Sequence, residues 1–330
     1  MSEKRSQSAA SSFVFKLLES FGNQGVAFLV SLALGRLLSP EDYGVLSLLL
    51  IFTALAQVFV QSGLNTALIQ RTEIDETDRS SVFFLGLGIA ALLYAALFAA
   101  APAIERYFRM AGLARYLRVL ALILFPGALT SVQNAVIARE MSFRKLMTAS
   151  LAATVLSGGV GITMALKGLG VWALVGQQLT NQFSLCVLLL VLVRWRPHFC
   201  FSLRRVRSLF SFGWKLLLSS LMDTGYQHLR SFVIGKKFSS EALGYFNRGK
   251  QFPELLMNAV NGSIQSVMLP VLSEQQDDLE RMKQTMRRSI MASSFLVLPL
   301  MAGLAAVARP LVSLLLTDKW LPCVPFLQIC

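Results

Sequence analysis

Charged side chains are scarce in this chain of 330 residues. Only 15% of its residues are Asp, Glu, Lys or Arg, whereas soluble proteins carry about 25% charged residues. The charges also cluster, leaving seven long uncharged runs at 43–70, 80–104, 119–138, 146–166, 168–193, 255–273 and 289–308. A helix needs about 20 apolar residues to cross a hydrocarbon core about 30 Å thick. The number of such runs predicts an all-α polytopic membrane protein.

Histidine and cysteine are also rare, with two and four residues. His198 and His228 have no Ser or Cys partner at a spacing that suits a hydrolase triad, and the cysteines lack the spacing of metal ligands. The loops between the predicted helices reach only about 10–15 residues, too short for the large hydrophilic loop that carries the catalytic residues of membrane-bound polymerases and ligases. The sequence therefore predicts a protein that is not an enzyme, with no metal site and no cofactor.

The net charge of +13 would suit a nucleic-acid-binding protein, but the distribution of the charge argues against that function. The Lys and Arg residues lie in short loops between apolar runs, as the positive-inside rule expects. Of the 31 in total, 16 fall in the N-terminal tail and the loops on its side, 12 fall on the opposite side, and three lie within helices. This difference predicts a multi-pass protein with a cytoplasmic N-terminus.

The apolar runs and their flanks predict nine helices. Their bounds are 12–36, 44–70, 80–104, 116–138, 146–166, 170–194, 208–235, 245–273 and 288–316. The last is too long for one crossing, so we assign 288–308 to the crossing and 310–316 to a re-entrant or interfacial segment. We expect a tenth helix to begin near Pro322. Glycines at 86–88 and 158–161 lie inside apolar spans, which favours close helix contacts over phosphate-binding loops.

An internal repeat suggests how the helices are organised. Segment 34–44, LGRLLSPEDYG, recurs 200 residues later as IGKKFSSEALG at 234–244, with six predicted helices between the copies. An even number makes the copies parallel, which predicts two lobes related by an axis along the membrane normal. Pro102 and Pro310 are also equivalent, so the chain would end at the equivalent of Leu122. We therefore expect the second lobe to be truncated.

These observations divide the chain into four parts. They predict a disordered cytoplasmic tail at 1–11, a first six-helix lobe at 12–195, a basic cytoplasmic linker at 196–207 and the incomplete start of a second lobe at 208–330.

The sequence resembles one family along most of its length. Segments 34–71, 139–145, 168–178 (GLGVWALVGQQ), 244–250 (GYFNRGK) and 319–328 are similar to bacterial polysaccharide transporters, the Wzx-type lipid-linked oligosaccharide flippases of the multidrug/oligosaccharidyl-lipid/polysaccharide exporter superfamily. The resemblance implies two six-helix lobes around a central cavity. It also implies movement of polyprenyl-pyrophosphate-linked oligosaccharide units from the inner to the outer leaflet of the bacterial inner membrane, for exopolysaccharide, capsule or O-antigen (lipopolysaccharide) synthesis.

Two departures from the family leave parts of this interpretation open. The family continues for several helices beyond the position of Cys330, and it commonly has an acidic residue near the position of Arg230. A coupling ion, proton or sodium, is therefore undecided. The expected partners are membrane lipid, the anionic glycan lipid and other polysaccharide-assembly proteins, but not nucleic acid. The alternatives are a cation-coupled multidrug exporter of related fold and a membrane polysaccharide polymerase or ligase.

A flippase must shelter an anionic pyrophosphate and a wet glycan, so cations and hydrogen-bonding groups should face its cavity. A charge at a helix centre costs about 2.5–3.5 kcal/mol, so such residues tend to be functional. We predict a substrate cavity lined by Lys16, Asn23, Gln24, Gln57, Gln61, Asn65, Lys215, Asp223, His228, Arg230, Arg248 and Lys250.

Structural roles remain possible for several of these residues. Lys16 could form an interfacial ion pair with Glu19, and Asp223 could pair with Arg230. Lys215 could extend to the membrane surface, and Arg248 and Lys250 could anchor a helix end there.

Overall fold

The computed structural model describes residues 22, 24–61, 68, 75–140, 142–193, 198, 200–274 and 278–329. Every regular element in these residues is helical, as the sequence predicts. They divide into two compact units, one ending at Glu241 and one beginning at Ala242. The lobe boundary at 196–207 and the repeat behind it stay predictions.

The unit ending at Glu241 contains the helices that follow, in chain order. They are α1 (Gln24–Leu37), α2 (Pro40–Gln61), α3 (Glu76–Phe108), α4 (Leu113–Leu120), α5 (Leu124–Glu140), α6 (Phe143–Leu166), α7 (Val171–Val193), α8 (Leu203–Lys237) and the first residues of α9 (Ser240–Glu274). Helix α6 packs along α7, and α2 packs against α8 and α3.

The second unit holds the rest of α9, followed by α10 (Leu279–Ala306), α11 (Ala308–Leu316), a 3-10 turn (Asp318–Cys323) and α12 (Val324–Ile329). Gly249 lets α9 approach this C-terminal segment, since a Cβ atom there would lie 2.7 Å from the carbonyl oxygen of Cys323. The buried Trp320 packs edge-on against Tyr245, with ring centroids 6.1 Å apart. The expected break is present at Val307, between α10 and α11 and slightly before its predicted position, and the helix predicted near Pro322 begins at Val324.

Within the described ranges, six helical spans are long and apolar enough to cross a membrane: α2, α3, the combined span Leu113–Glu140, α6, α7 and α10. The chain is therefore a multi-pass membrane protein. Helices α8 and α9 each have 35 residues, a length of about 52 Å, which also exceeds the hydrocarbon thickness. Because α8 and α9 contain many polar residues, they are not among the apolar spans named above.

Helix α2 begins at Pro40, four residues before its predicted start. Proline is favoured at the first helical position because its missing N–H would have no intrahelical partner there. The residues around it form a capping box: the Ser39 backbone N–H donates to Asp42 Oδ2 at 2.9 Å, and the Asp42 N–H donates to Ser39 Oγ at 3.2 Å. Local capping thus sets this boundary, which the charge pattern alone misplaces.

The predicted helix 116–138 is divided in the structure. Helix α4 ends at Leu120, a 3-10 turn follows at Ala121–Ile123, and α5 begins at Leu124. The cause is Pro126, which has no N–H for the carbonyl of Leu122 and whose ring crowds that carbonyl. The stretch Leu113–Glu140 is still one span long and apolar enough to cross a membrane, so the predicted crossing is present with a 3-10 turn inside it.

Glycine permits close packing of helices α1 and α6. A Cβ atom on Gly158 would lie 2.4 Å from Val30 Cγ2, whereas one on Gly159 would meet nothing within 4 Å. The predicted helix contact is therefore confirmed at Gly158. Gly88, inside α3, likewise has open space around it.

Candidate functional site

A polar pocket lies among helices α1, α6 and α7. Its volume is about 300 Å³, and its lining residues are Gln24, Ala27, Thr154, Ser157, Gln177, Gln178 and Asn181. This volume is at the lower end of the range of about 300–1,000 Å³ for small-molecule sites. None of these seven lining residues carries a charge, so within the described part of the chain the pocket offers amides and hydroxyls.

The helices hold these groups in fixed positions. The Asn181 side chain donates from Nδ2 to Ser157 Oγ at 3.2 Å, which joins α7 to α6. The Ser157 hydroxyl donates to the carbonyl of Thr154 at 3.0 Å, and Thr154 donates to that of Ser150 at 2.9 Å. Both hydroxyl protons are engaged within α6, and the Ser157 oxygen accepts the bond from Asn181.

The aliphatic part of the Gln177 side chain packs against Gly161 and so holds the amide in place. A Cβ atom on Gly161 would lie 3.1 Å from Gln177 Cβ and 3.2 Å from Gln177 Cγ, so the glycine makes room for it. The side-chain amides of Gln24, Gln177 and Gln178 make no hydrogen bond to another described residue, and Gln24 is exposed. An amide without a partner would cost several kcal/mol if it faced hydrocarbon, so these three side chains suit a setting with water or a polar ligand.

The sequence predicts only Gln24 of these lining residues. Gln177 and Gln178 lie in the segment GLGVWALVGQQ, which carries the family resemblance, yet the charge pattern does not identify them because neutral amides do not interrupt a charge-free run. The signal that could find them is the group of polar residues at 177, 178 and 181 within an apolar span.

Helix α8 carries a second polar surface. Five exposed residues, which we call the α8 polar stripe, follow one face at spacings of three or four: Lys215, Ser219, Asp223, Gln227 and Arg230. Asp223 accepts a hydrogen bond from Gln227 Nε2 at 2.9 Å, and no ion pair joins it to Arg230 in the described residues. Lys215 and Arg230 are 15 residues apart, or about 22 Å along the helix. His228 is half-buried and lies outside the stripe.

The other predicted site residues lie apart from these surfaces or outside the described residues. Lys16, Asn23 and Asn65 belong to the latter group, and Gln61 is exposed at the end of α2. Gln57 donates from Nε2 to the carbonyl of Ile123 at 3.1 Å. It therefore satisfies a carbonyl at the helix break before α5, which is a structural role.

Arg248 and Lys250 take part in the packing of the second unit. Arg248 is only 3% exposed; its Nη1 donates to Gln251 Oε1 at 2.8 Å, and its guanidinium lies 5.6 Å from the ring centroid of Trp320. Lys250 is 2.7 Å from the carboxylate of Glu254. Within the described residues, no cluster of three or more His, Cys, Asp or Glu side chains suits a metal ion.

Comparison with known proteins gives consistent matches. Residues 33–325 match the sequence profile of a family described as "Polysaccharide biosynthesis protein". The succinoglycan biosynthesis transport protein ExoT of Rhizobium meliloti is 26% identical over 306 residues, which cover 93% of this chain and 62% of ExoT. The teichuronic acid biosynthesis protein TuaB of Bacillus subtilis is 25% identical over 279 residues, covering 84% of this chain and 58% of TuaB. The chain thus spans less than two thirds of the length of these relatives.

The fold also matches a solved transporter. The lipid II flippase MurJ, in an inward closed conformation, superposes with a TM-score of 0.72, covering 96% of this chain and 71% of MurJ at 14% sequence identity. At that identity the likeness concerns the fold alone, and it agrees with the predicted all-α membrane fold.

Proposed function

Because the chain belongs to the polysaccharide biosynthesis protein family, we propose that it moves polyprenyl-pyrophosphate-linked oligosaccharide units across the bacterial inner membrane. Movement runs from the inner to the outer leaflet and supplies exopolysaccharide, capsule or lipopolysaccharide synthesis. The names of its relatives support this proposal, since one is a succinoglycan transport protein and another serves teichuronic acid synthesis. The role is that of a transporter, without bond cleavage.

The observation that carries the proposal is the α8 polar stripe. The stripe lies on a helix long enough to cross the bilayer, and cations and amides along such a helix cannot face lipid at an acceptable cost. The stripe therefore faces a water-filled path, along which a charged headgroup can move.

The spacing of the two cations defines how they would act. A pyrophosphate group spans only a few ångströms, so Lys215 and Arg230, about 22 Å apart along the helix, contact it one after the other. Lys215 is nearer the basic linker, which we place in the cytoplasm together with the N-terminus, so it meets the headgroup first and Arg230 meets it later. Arg248 and Lys250, which are engaged within the second unit, are placed less well for this role.

The membrane potential favours this direction of movement. An inside-negative potential drives an anion outward by about 2.3 kcal/mol per charge per 100 mV. The stripe therefore needs to lower the barrier to crossing rather than to bind tightly. Asp223 between the two cations weakens their hold on the anion, which speeds release.

The test uses alleles at the chromosomal locus, so that each variant is expressed in its natural sequence context. We expect Arg230→Ala to abolish export of surface polysaccharide and Arg230→Lys to keep part of it, because on a moving substrate the charge matters more than the forked geometry of arginine. Export is measured per amount of protein in the membrane. Gln182→Leu, on α7, is the control for insertion of an altered helix.

The alternative hypothesis, in which Asp223 and Arg230 form a structural ion pair, predicts a different result. Each single substitution would then lower the abundance of the protein, and the double exchange Asp223→Arg with Arg230→Asp would restore both abundance and export. Full export by Arg230→Ala at normal abundance would remove Arg230 from the path.

A further inference from the structure

The pocket among α1, α6 and α7 has a chemistry that differs from that of the α8 polar stripe. Its four amide side chains, from Gln24, Gln177, Gln178 and Asn181, each carry donors and an acceptor, and its two hydroxyls keep their protons engaged within α6. Sugar hydroxyl groups also donate and accept, so this lining matches them without any change of protonation. A pyrophosphate group only accepts hydrogen bonds and would leave the acceptors of the lining unpaired.

The size of the pocket sets the size of the ligand. At about 300 Å³, it holds roughly ten waters at their liquid volume of about 30 Å³ each, or a single sugar ring with a few waters. A longer glycan would have to extend beyond the pocket, which suits a subsite that contacts one residue of the chain.

A purely structural role explains only part of this arrangement. The bond from Asn181 to Ser157 joins two helices, and the stem of Gln177 packs on Gly161. These contacts hold α6 against α7, but they leave the Gln24 and Gln178 amides without a hydrogen-bonding partner in the described residues. Helix contacts in membranes are normally built from small residues, with polar groups paired across the interface.

We propose that this pocket binds one uncharged sugar ring of the transported glycan, while the pyrophosphate is handled by the α8 polar stripe. Gln178 and Asn181 are its principal hydrogen-bonding residues, with Gln24 and Gln177 on either side. The inference rests on the proposed function, since it names the part of that substrate which this site receives. It also separates recognition of the glycan from recognition of the anion, so glycan preference would change with the pocket and not with the stripe.

The test measures binding of two separate probes to the full chain in lipid nanodiscs. The neutral probe is maltotetraose, with mannitol as a polyol that lacks a ring, and the anionic probe is inorganic pyrophosphate. Binding is followed by saturation-transfer NMR and titration calorimetry. The variants are Gln178→Leu and Asn181→Leu, and the matched control is Gln182→Leu, which makes the same change on the same helix but at a residue that is not among those lining the pocket.

We expect each pocket variant to bind maltotetraose on the order of tenfold more weakly than the parent, since one neutral hydrogen bond contributes about 0.5–1.5 kcal/mol and 1.4 kcal/mol is tenfold. Gln182→Leu should bind it like the parent, mannitol should not compete, and pyrophosphate binding should be unchanged in all three variants. Gln178→Asn keeps the amide but shortens the side chain, so its affinity for maltotetraose should lie between those of the parent and Gln178→Leu. If Gln178→Leu folds poorly, the loss of affinity in Gln178→Asn provides the test instead.

Any of three outcomes would overturn the proposal that the pocket binds a sugar ring. In the first, the parent shows no saturable binding of maltotetraose, and in the second, folded Gln178→Leu and Asn181→Leu bind it as tightly as the parent does. In the third outcome, Gln182→Leu loses as much affinity for maltotetraose as the pocket variants do. A different result would count against the proposed role of the α8 polar stripe in transport. If maltotetraose binds as expected but Arg230→Ala leaves pyrophosphate binding unchanged, the pocket is supported and the role of the stripe is removed.

Discussion

Gly44, near the start of α2, has the closest neighbour of any described glycine. A Cβ atom added there would lie 1.7 Å from the carbonyl oxygen of Ser240 and 2.5 Å from its carbonyl carbon. The Ser240 hydroxyl also donates to Glu41 Oε1 at 3.4 Å. The segment 34–44 therefore meets the start of α9 at Ser240, which lies within the segment 234–244 that the predicted repeat would pair with it. Helix α1 ends at Leu37 and α2 begins at Pro40, just as α8 ends at Lys237 and α9 begins at Ser240.

Gly44→Ala should destabilise this contact. An ordinary contact needs at least about 3.4 Å, so the backbone at Ser240 would have to retreat by about 1.7 Å. Overpacking costs about 1–3 kcal/mol, and a backbone atom, which cannot rotate away, places this site at the upper end. Alanine regains about 0.5–1 kcal/mol over glycine within a helix. The net loss is about 2 kcal/mol, or a fall of roughly 4 °C in the unfolding midpoint.

The assay follows buried thiols. Cys186 and Cys323 are buried, whereas Cys200 is exposed, so a thiol-reactive dye in a Cys200→Ser, Cys330→Ser background reports unfolding at a fixed scan rate. The control is Gly88→Ala, where a Cβ atom would meet nothing within 4 Å, and it should leave the midpoint unchanged or raise it. A midpoint for Gly44→Ala at or above that of the parent would refute the packing argument.

Three further results are expected. Gln57→Leu should cost about 0.5–1.5 kcal/mol by removing the hydrogen bond to the Ile123 carbonyl, whereas Gln61→Leu at the exposed end of α2 should stay within about 0.5 kcal/mol; the dye assay measures both, and equal midpoints would contradict the role of Gln57. An impermeant maleimide added to intact cells should not label the native Cys200, which lies in the predicted cytoplasmic linker, but should label Lys237→Cys on the opposite side; the reverse pattern would invert the topology. Lys215→Ala should slow polysaccharide export at normal abundance, while Lys215→Arg should keep most of it; normal export by Lys215→Ala would mean that Lys215 only extends to the membrane surface.

The sequence predicts the existence of the helices well because an uncharged run of crossing length rarely forms anything but a membrane helix. It predicts their ends poorly, since these depend on local features: the capping box at Ser39 and Asp42 starts α2, and Pro126 interrupts the span before α5. The charge pattern identifies both cations of the α8 polar stripe. It misses Gln177, Gln178 and Asn181, because only their packing on α6 shows that they share a pocket with Gln24.

The sequence also does not distinguish an exposed cation from a buried one. Sequence alone treats Arg230 and Arg248 alike, as costly charges near the membrane. The structure exposes Arg230 on the face of α8 and buries Arg248 against Trp320. Tertiary packing, which the local sequence does not encode, separates a side chain open to a substrate from one engaged in the core.

If this chain moves a lipid-linked glycan between leaflets, as we propose, the most direct test is to find the leaflet in which that lipid resides. The measurement is the fraction of lipid-linked oligosaccharide that an impermeant lectin reaches on intact spheroplasts, with and without the gene. We predict that deletion leaves the lipid in the cytoplasmic leaflet, protected until the membrane is opened, and that restoring the chromosomal gene exposes it. Normal exposure in the deletion strain, with only the polymerised glycan missing, would contradict the account and favour a polymerase or ligase.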